Sequence, residues 1–249
     1  MVTGAVFAGV AAGLFAALLH FAFVQKYIVL GEQYESGTAV HFAGVAAAMD
    51  GATTETHSHD ATATEHQDST ATAQPHDNGD AGDASSLQRN ALTMLFFVLL
   101  YAAYGLVLVA GFGLAQHFGG CVTAREGLLW GIAGFVCLHL APALGLAPEL
   151  PGTAGPELTD RQLWWAATTV CTAVALALIA YGRKPLWIAF AIILLAMPHV
   201  IGAPELEGFS GVAPPEVASA FAARTLAVGL AAWSLMGWLA GWYWDRAKG

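Results

Sequence analysis

Long apolar segments are the feature that most limits the folds open to this chain. They cover residues 2–24, 91–115, 127–146, 163–181, 186–202 and 221–244. A helix needs roughly 20 consecutive apolar residues to cross the hydrocarbon core of a bilayer. We therefore predict an all-α integral membrane protein with about six transmembrane helices, in which residues 1–249 form a single membrane domain.

The fifth apolar segment is the shortest, and it leaves the number of spans open. The short sequence "YGRKP" joins it tightly to the fourth segment, and Pro198 lies near its end. A segment of this length either spans the bilayer with little tilt or enters it only partly. Six spans and an odd number of spans are therefore both compatible with the sequence.

Composition supports a membrane protein and argues against a nucleic-acid partner. The chain is 57% hydrophobic and 11% charged, whereas soluble domains carry about 25% charged residues. Its formal net charge of -9 is local, because residues 50–83 contain eight acids and no Lys or Arg. The rest of the chain is nearly neutral and has no basic patch suited to nucleic acid. The lipid bilayer is the partner that this composition indicates.

Basic residues in the short loops predict the orientation of the chain. With six spans, one face of the membrane carries Arg125, Arg183, Lys184, Arg246 and Lys248. Lys and Arg are enriched in cytoplasmic loops. We expect a multi-pass protein of the cell membrane with both termini in the cytoplasm and the long acidic loop outside.

The long loop contains the sequence "HSHDATATEHQDSTATAQPH", which brings four imidazoles and three carboxylates together. Residues 50–86 have too few apolar side chains to fold alone, so we predict a disordered external loop. Imidazole and carboxylate ligands suit Co, Ni, Cu and Zn ions. We expect weak, poorly selective metal capture there; a solvated acidic linker is the alternative. The four candidate ligands are His57, His59, His66 and His76.

A short motif repeats along the chain and predicts three helical hairpins. The sequence "APEL" occurs at residues 147–150 and again at 203–206, each time after a helix that carries a His near its end. An Arg then opens the following helix, and the first two segments fit the same order more loosely. Repeated hairpins that form a site at their interface are common in transporters.

Ionisable residues at the external helix ends form the second candidate site. Such groups are costly inside a membrane and usually face a bundle interior or an aqueous cavity. We expect a mixed nitrogen and oxygen site for a divalent cation there. Interfacial imidazoles bonded to backbone or lipid headgroups are the alternative. The candidate ligands are His20, His139, His199, Glu149 and Glu205.

Two arginines are candidates for ion pairs with these carboxylates. We expect Arg161 to pair with Glu149 and Arg224 to pair with Glu205, which would close the external loops. Anchoring of the arginines to lipid headgroups is the alternative. Arg125 and Glu126 are expected to cap or orient the third helix.

Several enzyme signatures are missing from the sequence. It contains no GxxxxGK[ST] loop, no HExxH and no GxSxG motif, so ATP hydrolysis by that loop, metalloprotease chemistry and esterase chemistry are not indicated. Three isolated cysteines lack any CxxC spacing and suggest neither a disulfide framework nor a zinc site. We expect no enzyme activity and no tightly bound cofactor.

Three stretches resemble the CbtA family of predicted cobalt transporter subunits: "GLAPELPG" at 145–152, "DRQLWWAAT" at 160–168 and "MPHVIGAPE" at 197–205. The sequence "GEQYE" at 31–35 is similar to the family's opening. The resemblance implies a permease component for cobalt, linked to cobalamin supply, that works with CbtB, a small single-helix membrane subunit containing His. It supplies no established ligand set for these residues.

The sequence therefore favours a membrane permease subunit that takes up a divalent transition metal, with cobalt as cargo and Ni, Zn or Cu as alternatives. A metal-binding sensor or assembly protein without transport is the second hypothesis, and an integral membrane enzyme is the third. The sequence is also compatible with a homo-oligomer.

Overall fold

The computed structural model describes residues 1–40, 79–182, 184–206, 208 and 211–247, with backbone alone for residues 79–84. Within these ranges the chain is helical apart from loops and one isolated antiparallel β-bridge between Thr153 and Gly211. The helices are α1 (Val2–Glu35), α2 (Gly79–His117), α3 (Ala124–Ala143), α4 (Leu158–Tyr181), α5 (Pro185–Ile201) and α6 (Pro215–Arg246). The prediction of an all-α protein is confirmed.

Five of the helices are long and apolar enough to cross a membrane, and they are α1, α2 from Ser85, α3, α4 and α6. The sixth helix, α5, has 17 residues and is about 25 Å long at 1.5 Å per residue. It lies antiparallel along α4, since Trp187 approaches Gly182 and Pro198 accepts a hydrogen bond from Trp164. The sequence prediction of about six helices thus corresponds, in the described residues, to five helices long enough to span and one shorter apolar helix.

The helices alternate in direction, which defines two ends of the molecule. The loop end carries residues 36–40, 144–157, 202–206, 208 and 211–214, and the opposite end carries residues 118–123, 182 and 184. At the opposite end, Thr123 and Glu126 form a capping box at the start of α3. The backbone N–H of Thr123 donates to Glu126 Oε2 at 3.2 Å. The expected capping role of Glu126 is therefore confirmed.

Close contact between glycines joins α3 to α6. A Cβ atom on Gly127 would overlap the carbonyl oxygen of Gly237, and one on Gly237 would overlap the carbonyl oxygen of Gly127. One turn further along, a Cβ on Gly131 would overlap the carbonyl oxygen of Trp233. Small residues allow helix backbones to approach closely in membranes, where van der Waals packing holds helices together.

The α1–α2 pair uses the same kind of contact. A Cβ atom on Gly13 would lie 2.7 Å from the carbonyl oxygen of Phe97, and one on Gly105 would lie 2.6 Å from that of Ala5. Helix α1 also contacts α6. Side chains from α1, α2, α3 and α6 fill the main core, in which Phe112 and Met236 are fully buried.

Helices α4 and α5 stand at the edge of this four-helix core. Helix α5 contacts α4 but no other described helix, and α4 contacts α3 mainly through the last turns of α3. The predicted third hairpin, in which α5 would pack against α6, is therefore not formed. The physical reason lies in α6, whose small residues already face α3 and α1. The bulky face of α5, including Ile192 and Ile193, is exposed at the surface of the chain.

The start of α2 differs from the predicted boundary of the long loop. Helix α2 already begins at Gly79, within the segment 50–86 that the sequence predicts to be disordered. Acidic residues are favourable in the first turns of a helix, and this segment carries Asp80 and Asp83. Residues 41–78 lie outside the described part of the chain.

We predict that Gly237→Leu separates α3 from α6 and destabilises the protein by about 1–3 kcal/mol, because the added side chain meets backbone. Thermal unfolding in detergent, followed by circular dichroism, measures this effect. Gly113→Ala is the matched control, since its nearest neighbour, Trp244, would lie 3.8 Å from the new Cβ. An unchanged midpoint for Gly237→Leu would contradict the glycine contact.

Candidate functional site

A π-helical turn interrupts α3 at Val136–Leu140. The backbone N–H of Ala141 donates to the carbonyl of Val136, five residues earlier. Pro142 follows, and proline has no N–H to donate to the carbonyl four residues before it, against which its ring would also clash. A wider turn at this place accommodates Pro142. Such π-turns occur frequently at functional sites.

This turn places His139 inside the helix bundle. Its ring stacks on Phe135 with the centroids 5.9 Å apart, and it meets the edges of Tyr104 and Trp233 at 6.2 and 6.0 Å. The Nε2 atom is buried and has no hydrogen-bond partner. Buried polar groups without a partner cost free energy, so His139 is a candidate ligand-binding residue.

His139 lines a cavity of about 500 Å³ at the loop end, which we call the His139 cavity. Helices α3, α4 and α6 and the loop after α3 form its walls. Its polar side chains include a carboxylate, a guanidinium, an amide and a hydroxyl. They belong to Glu149, Arg161, Gln162 and Thr225. The Oγ1 atom of Thr225 is also buried without a hydrogen-bond partner.

Glu149 and Arg161 form an ion pair within this cavity. Arg161 Nη2 lies 2.8 Å from Glu149 Oε2, and the two side chains are 31% and 30% exposed. Gly155 lies next to this pair. A Cβ atom at this position would come within 2.7 Å of Arg161 Nη1, so a larger residue would crowd the guanidinium. The carboxylate is therefore neutralised by the guanidinium in this structure.

The loop that carries Glu149 is held by its neighbours. Leu150 is buried against Val24 and Phe221. Gly152 has a positive φ of 76° and lies close to Val212, and Thr153 makes the β-bridge to Gly211. These contacts fix the position of Glu149 relative to α1 and α6.

The other two histidines of the predicted external site lie elsewhere. His20 opens a second π-helical turn, His20–Val24, and its ring lies 5.2 Å from that of Phe97. His199 is exposed near the end of α5, with its ring 5.9 Å from Trp164. Neither lines the His139 cavity. The three histidines are carried by α1, α3 and α5, and α5 packs only on α4, so the fold keeps them apart.

The expected ion pair of Arg224 with Glu205 is not formed. The guanidinium of Arg224 instead lies over the ring of Tyr27, 4.6 Å from its centroid, and its Nη1 donates to the carbonyl of Ala220. Glu205 is exposed in the loop before α6. An ion pair in the first hairpin joins Arg89 to Glu32 at 3.3 Å. The order His, Glu, Arg thus yields an ion pair in two of the three predicted hairpins.

No preformed chelating cluster is present in the described ranges, where no three His, Cys, Asp or Glu side chains are grouped as metal ligands. The predicted ligands of the long loop fall outside those ranges. They are His57, His59, His66 and His76. No sequence pattern indicated Thr225 or Gly155 as site residues, since neither belongs to a repeated motif.

These features define a multi-pass membrane protein with a polar cavity near one end of its helix bundle. A sequence model of the CbtA family, described as "Probable cobalt transporter subunit (CbtA)", matches residues 1–245. The match covers nearly the whole chain, so the chain belongs to the CbtA family, and the resemblance seen in the sequence is confirmed. No curated protein and no solved structure matched the chain.

We predict that the Glu149–Arg161 pair adds little to stability. Glu149→Gln, Arg161→Gln and the double variant form a cycle that isolates the pair. Partly exposed pairs contribute about 0–1 kcal/mol, so we expect a coupling below about 1 kcal/mol in denaturant unfolding. A coupling of several kcal/mol would instead make the pair a structural anchor.

Proposed function

We propose that this chain takes up a divalent transition-metal ion, cobalt in the cell, and that the ion first binds in the His139 cavity. The observation that carries the proposal is that His139 and Glu149 line the same cavity and that the buried Nε2 of His139 has no hydrogen-bond partner within the protein. Membership of a family of probable cobalt transporter subunits supports cobalt as the cargo.

The available donors suit a weak, exchangeable site. Imidazole nitrogen and carboxylate oxygen are ligands for Co, Ni, Cu and Zn ions, and the Thr225 hydroxyl adds an oxygen. With so few protein donors, the ion would keep part of its water shell. A transported ion has to leave as well as bind, so modest affinity fits transport better than storage. The same donors do not select cobalt over nickel or zinc.

Arg161 competes with the ion for Glu149. A cation reaches the carboxylate by displacing the guanidinium, which costs little if the pair is as weak as its exposure suggests. Without an ion, the positive charge of Arg161 balances the negative charge of Glu149. A bound divalent cation adds two positive charges to this pair. This exchange would tie the position of Arg161, and thus of α4, to ion binding.

The proposed orientation places the His139 cavity outside the cell. Arg125, Lys184 and Arg246 lie at the opposite end of the bundle, and Lys and Arg mark the cytoplasmic side. The histidines of the long loop would then collect ions near the cavity at low affinity. We further propose that the partner implied by the word subunit is a CbtB-like single-helix membrane protein. The acting assembly would then contain both chains.

His139→Ala should lower cobalt uptake by at least about tenfold, since removing even indirect partners of a metal site costs 10–100-fold in affinity. Uptake of labelled cobalt by cells that express the chain with its partner measures this, with competition by nickel and zinc. His117→Ala is the matched control, because His117 is exposed at the opposite end.

Uptake unchanged by His139→Ala but abolished by His199→Ala would contradict the proposed site and favour a path along α4 and α5. Cobalt binding by the purified protein without any uptake would favour the sensor or assembly hypothesis.

The long loop gives a separate prediction. Replacing His57, His59, His66 and His76 together with Ala should reduce uptake when cobalt is scarce and leave it unchanged at saturating cobalt, because the loop only raises the local ion concentration. A concentration series in the uptake assay tests this. Loss of uptake at saturating cobalt would place these histidines on the path itself.

A further inference from the structure

A second cavity, of about 550 Å³, lies between α2, α3 and α4 toward the opposite end. We call it the Cys137 cavity. Along α3 it extends from Glu126 to Leu138, and along α4 from Thr169 to Tyr181. Each of these stretches is about 18 Å long at 1.5 Å per residue. The cavity therefore covers more than half the thickness of a bilayer core.

Residues that carry a buried polar atom without a hydrogen-bond partner line both cavities. His139 and Thr225 line the His139 cavity, and Thr169 and Trp233 line the Cys137 cavity. Thr169 Oγ1 and Trp233 Nε1 are buried without a hydrogen-bond partner, and Trp233 is 2% exposed. Within a membrane such groups are costly unless water or a ligand satisfies them.

One face of α4 lines both cavities in succession. Residues three or four apart share a helix face, and the lining residues of α4 follow this spacing. They are Leu158, Arg161 and Trp165 in the His139 cavity, then Thr169, Ala173 and Ala177 in the Cys137 cavity. Only the turn from Trp165 to Thr169 separates the two sets, which is about 6 Å of helix.

Leu138 stands between the cavities, since its side chain lines both. It belongs to the π-helical turn Val136–Leu140, which also carries His139 and Cys137. The ring of His139 meets Tyr104 and Trp233, which line the Cys137 cavity. Leu138 is therefore the residue that the two linings share, and it is next to His139 in the chain.

We propose that the two cavities are the water-filled halves of one route through this chain, and that Leu138 closes the route between them. The inference rests on the proposed function, and it specifies the route by which a divalent cation crosses the helix bundle. The ion would pass from His139 to a second space whose oxygen and sulfur ligands would come from Glu126, Thr169 and Cys137. Most other lining residues there are apolar, so the ion is held weakly and the route closes readily by losing its water.

Native cysteines test whether the second cavity contains water. Cys137 lines it, whereas Cys171 of α4 lines neither cavity. The variant Cys121→Ser/Cys171→Ser retains Cys137, and Cys121→Ser/Cys137→Ser retains Cys171. Sealed vesicles of both orientations are treated with a charged trimethylammonium methanethiosulfonate, which stays in water, and with uncharged N-ethylmaleimide, which also enters lipid.

We expect the charged reagent to modify Cys137 at least tenfold faster than Cys171 from the face that carries Arg125, and cobalt ions to slow this reaction. Modification of Cys137 by N-ethylmaleimide alone would overturn the proposal, because the space would then hold lipid or another helix. Equal reaction of both cysteines with the charged reagent would also overturn it.

Leu138→Trp tests the barrier. The larger side chain should lower cobalt uptake at least tenfold while Cys137 still reacts from the Arg125 face and Cys171 still reacts slowly, a difference that an unfolded variant would lose. Leu140→Trp is the control, since Leu140 belongs to the same turn, is 37% exposed and lines neither cavity. Normal uptake by Leu138→Trp would overturn the route. Cobalt uptake with Cys137 inaccessible would overturn this inference while leaving the proposed function intact.

Discussion

Contact between glycine backbones of α3 and α6 is the constraint on which the rest of the structure depends. Because Gly127 and Gly237 let the two helices touch, α6 turns its small residues toward α3 and α1. No such surface is left for α4 and α5, which attach at the edge of the core through the last turns of α3. Both cavities lie where α4 packs against α3. The close packing of α3 on α6 therefore also explains why cavities remain beside α4.

The π-helical turn connects the core to the candidate site. Pro142 makes a regular helix unfavourable at this point, and the wider turn brings Leu138 and His139 to the junction of the two cavities. The loop after this turn then returns Glu149 to the same cavity, where Arg161 of α4 meets it. Local backbone geometry and site chemistry are thus set by the same short stretch of sequence.

Hydropathy predicted the helices well, because membrane spans are long and their signal is strong. The repeated motif predicted Glu149 and Arg161 as partners, since residues at the same depth of consecutive helices meet across a short loop. It failed for Arg224, which lies over Tyr27, because Tyr27 belongs to the distant first hairpin and no local pattern indicates that contact. The sequence also did not predict which helices pack against each other, because that depends on which glycines face one another in the fold. Gly155 and Thr225 have no sequence signal at all.

Backbone contact has a consequence for how this chain tolerates change. In lipid, apolar side chains gain little from leaving their surroundings, so volume decides helix packing more than polarity does. An apolar side chain added at Gly131 raises hydropathy and should still force α3 from α6. A polar Thr in place of exposed Val170 lowers hydropathy and preserves the shape of the residue. A hydropathy scale would therefore rank the two substitutions in the wrong order, and residue size would rank them correctly.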